Sequence, residues 1–170
     1  MSDQDAIIIL LGALLSVGAM LLAVAIVISI LTIVAHWKMF TKAGVEGWKS
    51  IIPIYSDYVL YKIVWNTKSF LVYVALLVVL SILYSINTAM AQVAFDANGN
   101  FVTAGTPNIL ISVLISATLI ACLIWYIRLQ LKTAHAYGQT TGFGVGLVLL
   151  NTVFILILGF GNSRYVGPQE

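Results

Sequence analysis

Few side chains in this chain could do chemistry. His36 and His135 each close an apolar run, and two imidazoles on neighbouring helices can ligate a haem iron. They sit beside Trp37 and Tyr137, residues of a membrane–water boundary where histidine is ordinary, and no second pair exists; no cofactor and no metal are therefore expected. On its side of the apolar runs Asp57 is the one acid close to a span apart from Glu46 in the preceding turn, whereas aspartyl cleavage needs two carboxylates sharing a proton. The run Gly142–Gly146 (GFGVG) lacks the Lys-Ser/Thr and the preceding strand of a phosphate loop. Cys122 stands alone, which excludes an internal disulfide and a cysteine metal cluster. No catalytic residue is assigned, and the protein is expected not to be an enzyme.

The elements that carry these residues follow from composition. Of 170 residues, 61% are hydrophobic and 8% charged, against roughly half and about a quarter in soluble domains. Four runs are apolar enough for membrane helices: 6–35, 70–90, 109–127 and 143–160. The first is longer than a bilayer core requires and is read as an uncleaved helix that tilts or projects; the fourth barely spans. The expected fold is all-α: an integral membrane domain over 1–170 with four transmembrane helices and a short interfacial helix on the cytoplasmic side.

Charge sets the threading. Lys38, Lys42, Lys49, Lys62 and Lys68 follow the first run, Arg128 and Lys132 follow the third, and only Arg164 follows the fourth. The positive-inside rule then places both basic connections in the cytoplasm, with the N-terminus and C-terminus outside. The loop after the second run has no Lys or Arg, and its D-A-N-G-N turn between VAF and FVT predicts a small hairpin with Asn98-Gly99 at the tip. A serine–lysine hydrolase of the signal-peptidase type would need a lysine on the outer side, where none lies. The net charge of +2 arises from one-sided clustering, and no nucleic-acid partner is expected.

The stretch 47–66 holds five aromatics, a proline and lysines, too polar to cross a bilayer. Gly44, Gly47 and Pro53 interrupt the first helix, and a short helix from about 54 to 65 is expected along the inner leaflet, with a half-inserted segment as the alternative. Trp48, Pro53, Tyr55, Tyr58, Tyr61 and Trp65 are the residues expected to contact lipid or a partner. Helix packing is assigned to small residues: Gly12, Ser16, Ala19 and Ala23 on one face of the first run, Gly142 and Gly146 opening the fourth. These seams suit a four-helix bundle or a face for another subunit. Asn151, the one strongly polar residue near mid-membrane, reads as an interhelical hydrogen-bond clamp.

Two blocks, HWKMFTKAGVEGWKSIIPIYSDYVLYKIVW and AYGQTTGFGVGLVLLNTVFILILGFGNSRYVG, resemble the ends of a family of small bacterial multi-pass membrane proteins classed only as a domain of unknown function. The similar positions run from Lys42 through Trp48 to Tyr55, and from Tyr137 through Gly146 to Tyr165. An asparagine usual after the I-P-I-Y motif is Ser56 here. Some relatives carry signal-peptidase-like labels, which this chain does not match for want of the lysine. The resemblance implies a bacterial cytoplasmic membrane protein and brings no activity. The expected role is a non-enzymatic subunit or scaffold of a membrane assembly, in contact with lipids and with copies of itself or a larger complex; the alternative is a small oligomeric transporter or channel around Asn151.

Overall fold

The computed structural model describes residues 3–90, 93–95, 101–103 and 108–168. Helix α1 runs over Asp3–Lys42, and at 40 residues it extends about 60 Å. It stops at Gly44, whose φ of +72° suits glycine. Val45 N–H bonds to the Phe40 carbonyl and Gly44 N–H to that of Thr41, so the last turn's carbonyls are satisfied in a Schellman motif. A 3-10 turn over Gly47–Ile51 doubles back along α1, with Ser50 Oγ donating to the Ile33 carbonyl at 3.4 Å. Pro53, at the first position of α2 (Pro53–Val64), starts the short helix the sequence predicts.

Helix α3 (Thr67–Met90) follows, its start capped by Asn66 Oδ1, which accepts from Ser69 N at 2.7 Å. Strands β1 (Val93–Phe95) and β2 (Phe101–Thr103) pair antiparallel, Phe95 opposite Phe101. This agrees with the predicted hairpin, while Asn98-Gly99 lie outside the described residues. Helix α4 (Ile109–Ala136) packs along α3 and ends, like α1, in a Schellman motif, at Gly138 with φ +67°. Among the described helices, α1, α3 and α4 are long and apolar enough to cross a membrane.

The fourth apolar run differs from its prediction as a single span. It divides at Leu150 into α5 (Thr141–Leu149) and α6 (Asn151–Phe160). At ~1.5 Å per residue neither helix covers more than about half of a ~30 Å hydrocarbon core. The two fold against each other: the Phe143 and Phe154 rings meet edge-to-face at 4.8 Å, although an unbroken helix would hold them about 16 Å apart. α5 packs on the end of α4, with Gly144 against Leu131 and Ala134. α6 packs on the end of α1, where Gly159 lies so close to Ala35 that a Cβ would stand 2.6 Å from that residue's Cα.

Both ends of this folded-back hairpin consequently lie beside the C-terminal ends of α1 and α4. The tail, residues 161–168, stays there, with Val166 N–H bonded to the Ala136 carbonyl at 2.8 Å. Charge patterning with four spans places this tail at the opposite end from the basic connections. Arg164 instead joins them, and all eight Lys and Arg gather at one end of the molecule. The core is at that end too: Met39, Phe40, Tyr61, Val64, Tyr137, Leu147 and Leu158 are buried, whereas α1 from Ile9 to Ile30 exposes its side chains on every side, as a lipid-facing helix does.

Candidate functional site

Two helices hold the hairpin, α4 against α5 and α1 against α6. Leu150, at φ −127° and ψ 55°, breaks the helix, and Asn151 Nδ2 donates to the Leu147 carbonyl at 3.3 Å across the break. The side chain thereby serves a backbone acceptor near the end of α5, which is the physical use of an asparagine at this position. Three glycines just upstream, at 142, 144 and 146, lower the helix propensity of α5. A Cβ on Gly146 would run into the Phe154 ring, so the tight fold between α5 and α6 depends on that glycine.

The folded hairpin closes a cavity of about 250 Å³ near the boundary end of α1, α3 and α4. Its polar lining comes from His36 of α1, Asp57 and Tyr61 of α2, Tyr73 of α3, Tyr126 and Gln130 of α4, and Asn151 of α6; Leu60, Leu129 and Ile155 complete it. His36 Nδ1 lies 2.9 Å from the Thr32 carbonyl, which can only accept, so Nδ1 carries the proton and a neutral ring keeps its Nε2 lone pair free. Asp57 is exposed at the rim. Partial loss of water holds its carboxyl above the ordinary carboxylate range, and the nearby His36 opposes that rise. Burial pushes the Tyr61 phenol well above the usual tyrosine range, with Tyr73 and Asp57 adding to the effect. Gln130 is 6% exposed and makes no hydrogen bond to any described residue. Its amide faces the cavity, where it can hydrogen-bond to whatever occupies that space.

Around the cavity the aromatics form a belt. Tyr61 stacks on Tyr73 at 5.6 Å and meets Phe70 edge-on, and Trp65 stacks on Trp125 at 4.9 Å with Arg128 and Lys132 beside its ring. The indole Nε1 of Trp125 is buried without a well-aligned hydrogen bond, although the Tyr61 hydroxyl is close enough to feel it. The boundary residues named from sequence separate into two groups. Trp48 and Tyr55 are exposed beside Ile51, Ile52 and Ile54, and form an apolar outer face. Tyr61 is core, with no face left for lipid or a partner, and Trp65 and Tyr58 are half-buried against Trp125 and Phe70.

Of the packing residues, Gly146 and Asn151 act within the hairpin. Gly12, Ser16, Ala19 and Ala23 are all exposed and face no described helix. Gly142 is exposed as well, with Thr140 Oγ1 its nearest neighbour. His135 points away from the cavity, its Nε2 lying 3.2 Å from Thr141 Oγ1, so the two histidines are not brought together. Among the described residues no cluster of three or more His, Cys, Asp or Glu could hold a metal. The gathering of His36, Asp57, Gln130 and Asn151 escaped sequence reasoning; the one signal was that Asp57 and Gln130 are polar where their neighbours are apolar.

Residues 48–168 match a family model described as a family of unknown function (DUF5684). The chain belongs to this family. Within the DUF5684 match lie α2, the hairpin and the tail, and with them every cavity residue except His36. No curated protein and no solved structure matches the chain.

Proposed function

We propose that the protein is a non-enzymatic membrane subunit that holds a small polar ligand at the basic end of its helices. The observation that supports this most is the cavity of about 250 Å³ that the α5–α6 hairpin completes, into which helices from distant parts of the sequence bring His36, Asp57, Gln130 and Asn151. In the orientation we infer, the basic end faces the cytoplasm, residue 3 lies outside, and the tail lies inside; three spans and a half-inserted hairpin replace the four spans of the sequence reading. The membrane is the bacterial cytoplasmic membrane. The exposed face of Trp48, Ile51, Ile52, Ile54 and Tyr55 rests on the inner leaflet.

A thermal-shift survey of the detergent-purified chain against small polar solutes tests the binding role. Stabilisation by at least one solute, lost in Asn151→Leu, is expected; no stabilisation by any solute would remove the reading. The subunit role is read from mass under gentle extraction, where an oligomer or a complex is expected and a lone 18 kDa species under every mild condition would contradict it. A second reading, a small oligomeric transporter, is favoured by the position of Asn151 at a helix break, a recurring feature of transport sites. Against it, the groove between α3 and α4 shares no residue with the cavity and is lined mainly by apolar residues such as Leu77, Leu80, Ile115 and Leu119. Liposome flux that Asn151→Leu abolishes would favour the transporter.

A further inference from the structure

A binding cavity at this place restricts what can enter it by the chemistry of its walls. Asp57 is the only carboxylate in the lining, and neither Lys nor Arg is present. The other polar groups are rich in free acceptors. His36 has Nδ1 committed to Thr32, so its Nε2 lone pair remains. Asn151 has Nδ2 committed to Leu147, so its Oδ1 remains. Gln130 brings an amide oxygen with no hydrogen-bond donor among the described residues. The phenol rings of Tyr61 and Tyr73 add π-faces of negative potential. An anion would meet Asp57 with no cation to balance it. A neutral solute would make no use of the one carboxylate in the lining.

Size narrows the class further. The cavity, about 250 Å³, falls just under the ~300 Å³ at which pockets for drug-sized ligands begin. Leu60, Leu129 and Ile155 offer a short apolar wall. We infer that the cavity takes a small protonated primary amine, its ammonium N–H groups donating to Asp57 and Gln130 and its alkyl part lying on the leucine and isoleucine side chains. This ligand class rests on the binding reading proposed above. It is the opposite in sign to the surrounding surface, where the Lys and Arg residues cluster, so ordinary surface electrostatics would not produce it.

Calorimetric titration of the full-length protein in lipid nanodiscs separates the two claims. The probes are propylammonium, 1-propanol and propionate, which share a three-carbon skeleton and differ in charge. Saturable binding of propylammonium alone is expected. Asp57→Asn, a change at the exposed rim, and Gln130→Leu should each weaken it by about tenfold or more, the loss expected for a charge-assisted hydrogen bond. Asp57→Glu should retain most of the affinity. Equal or tighter binding of propanol or propionate would overturn the amine assignment and leave a binding cavity standing. Unchanged propylammonium affinity in Asp57→Asn would overturn it as well. No saturable binding of any probe, with solute stabilisation also absent, would overturn both claims.

Discussion

The Tyr137 hydroxyl donates a 2.8 Å hydrogen bond to the backbone carbonyl of Met39, tying the end of α4 to the end of α1 across 98 positions of sequence. Both residues are fully buried. Tyr165, in edge-to-face contact with Tyr137 at 5.5 Å, donates in turn to the Ile63 carbonyl at 2.6 Å. These two phenols lock α1, α2, α4 and the tail into one unit, and the unit sets the walls of the cavity.

Tyr137→Phe keeps the ring and removes the donor. Met39 O retains its bond from Ala43 N, so the expected cost is about 1 kcal/mol rather than that of an orphaned carbonyl. Equilibrium unfolding in mixed micelles should show it, and Tyr165→Phe should cost a similar amount.

The same phenols predict alkaline lability. Burial raises Tyr137 and Tyr165 above the ordinary tyrosine value, with Tyr165 adding to the rise at Tyr137. A group whose folded pKa is raised contributes stability that is complete below its unfolded value, about 10 for tyrosine. That stability is lost as pH climbs from there through the folded value, because a phenolate cannot donate. Melting temperature in detergent should therefore be level to about pH 10 and fall above it. The Tyr137→Phe/Tyr165→Phe double variant should start lower and fall less.

Much of this was legible in the sequence, and the limit has a physical cause. Hydropathy reports how apolar a run is, so α1, α3 and α4 were found, as were the stops at Gly44 and Pro53. Hydropathy cannot tell an 18-residue span from two shorter helices folded back, because both bury the same side chains. The evidence for the fold-back was local and weak: three closely spaced glycines before Leu150 and an asparagine after it. The cavity was hidden for another reason. His36, Asp57, Gln130 and Asn151 come from four helices, and only their long-range packing makes them neighbours. The small-residue seam of α1 shows the converse, a pattern that reads as a packing face and has no described intrachain partner.

Lys42 should hold the tail. Its Nζ donates to the Leu158 and Gly161 carbonyls at 2.5 and 2.7 Å and to Ser163 Oγ at 3.2 Å, using all three N–H groups at the C-terminal end of α6. Lys42→Met leaves these acceptors to water and removes a charge favourable to the helix end. Limited trypsin digestion at Arg164 should accelerate several-fold, with little change in the digestion of α3.

Gly159→Ala probes the contact between α6 and α1. Its added Cβ would stand 2.6 Å from Ala35 Cα and 2.7 Å from Ala35 O, backbone atoms that cannot rotate away. The helices must separate, at a cost of about 1–3 kcal/mol. The partner change Ala35→Gly should recover little, because the clash is with backbone.

The re-entrant hairpin is the central claim, since without it Asn151 does not reach His36 and the cavity does not close. Cysteines placed singly at Gln4 and at Arg164 in a Cys122→Ala background, in intact cells, test it most directly with an impermeant maleimide. The account predicts that Gln4→Cys is labelled from outside and that Arg164→Cys is labelled only after the membrane is opened. Labelling of both from outside would mean that residues 143–160 cross the membrane, and would contradict the account.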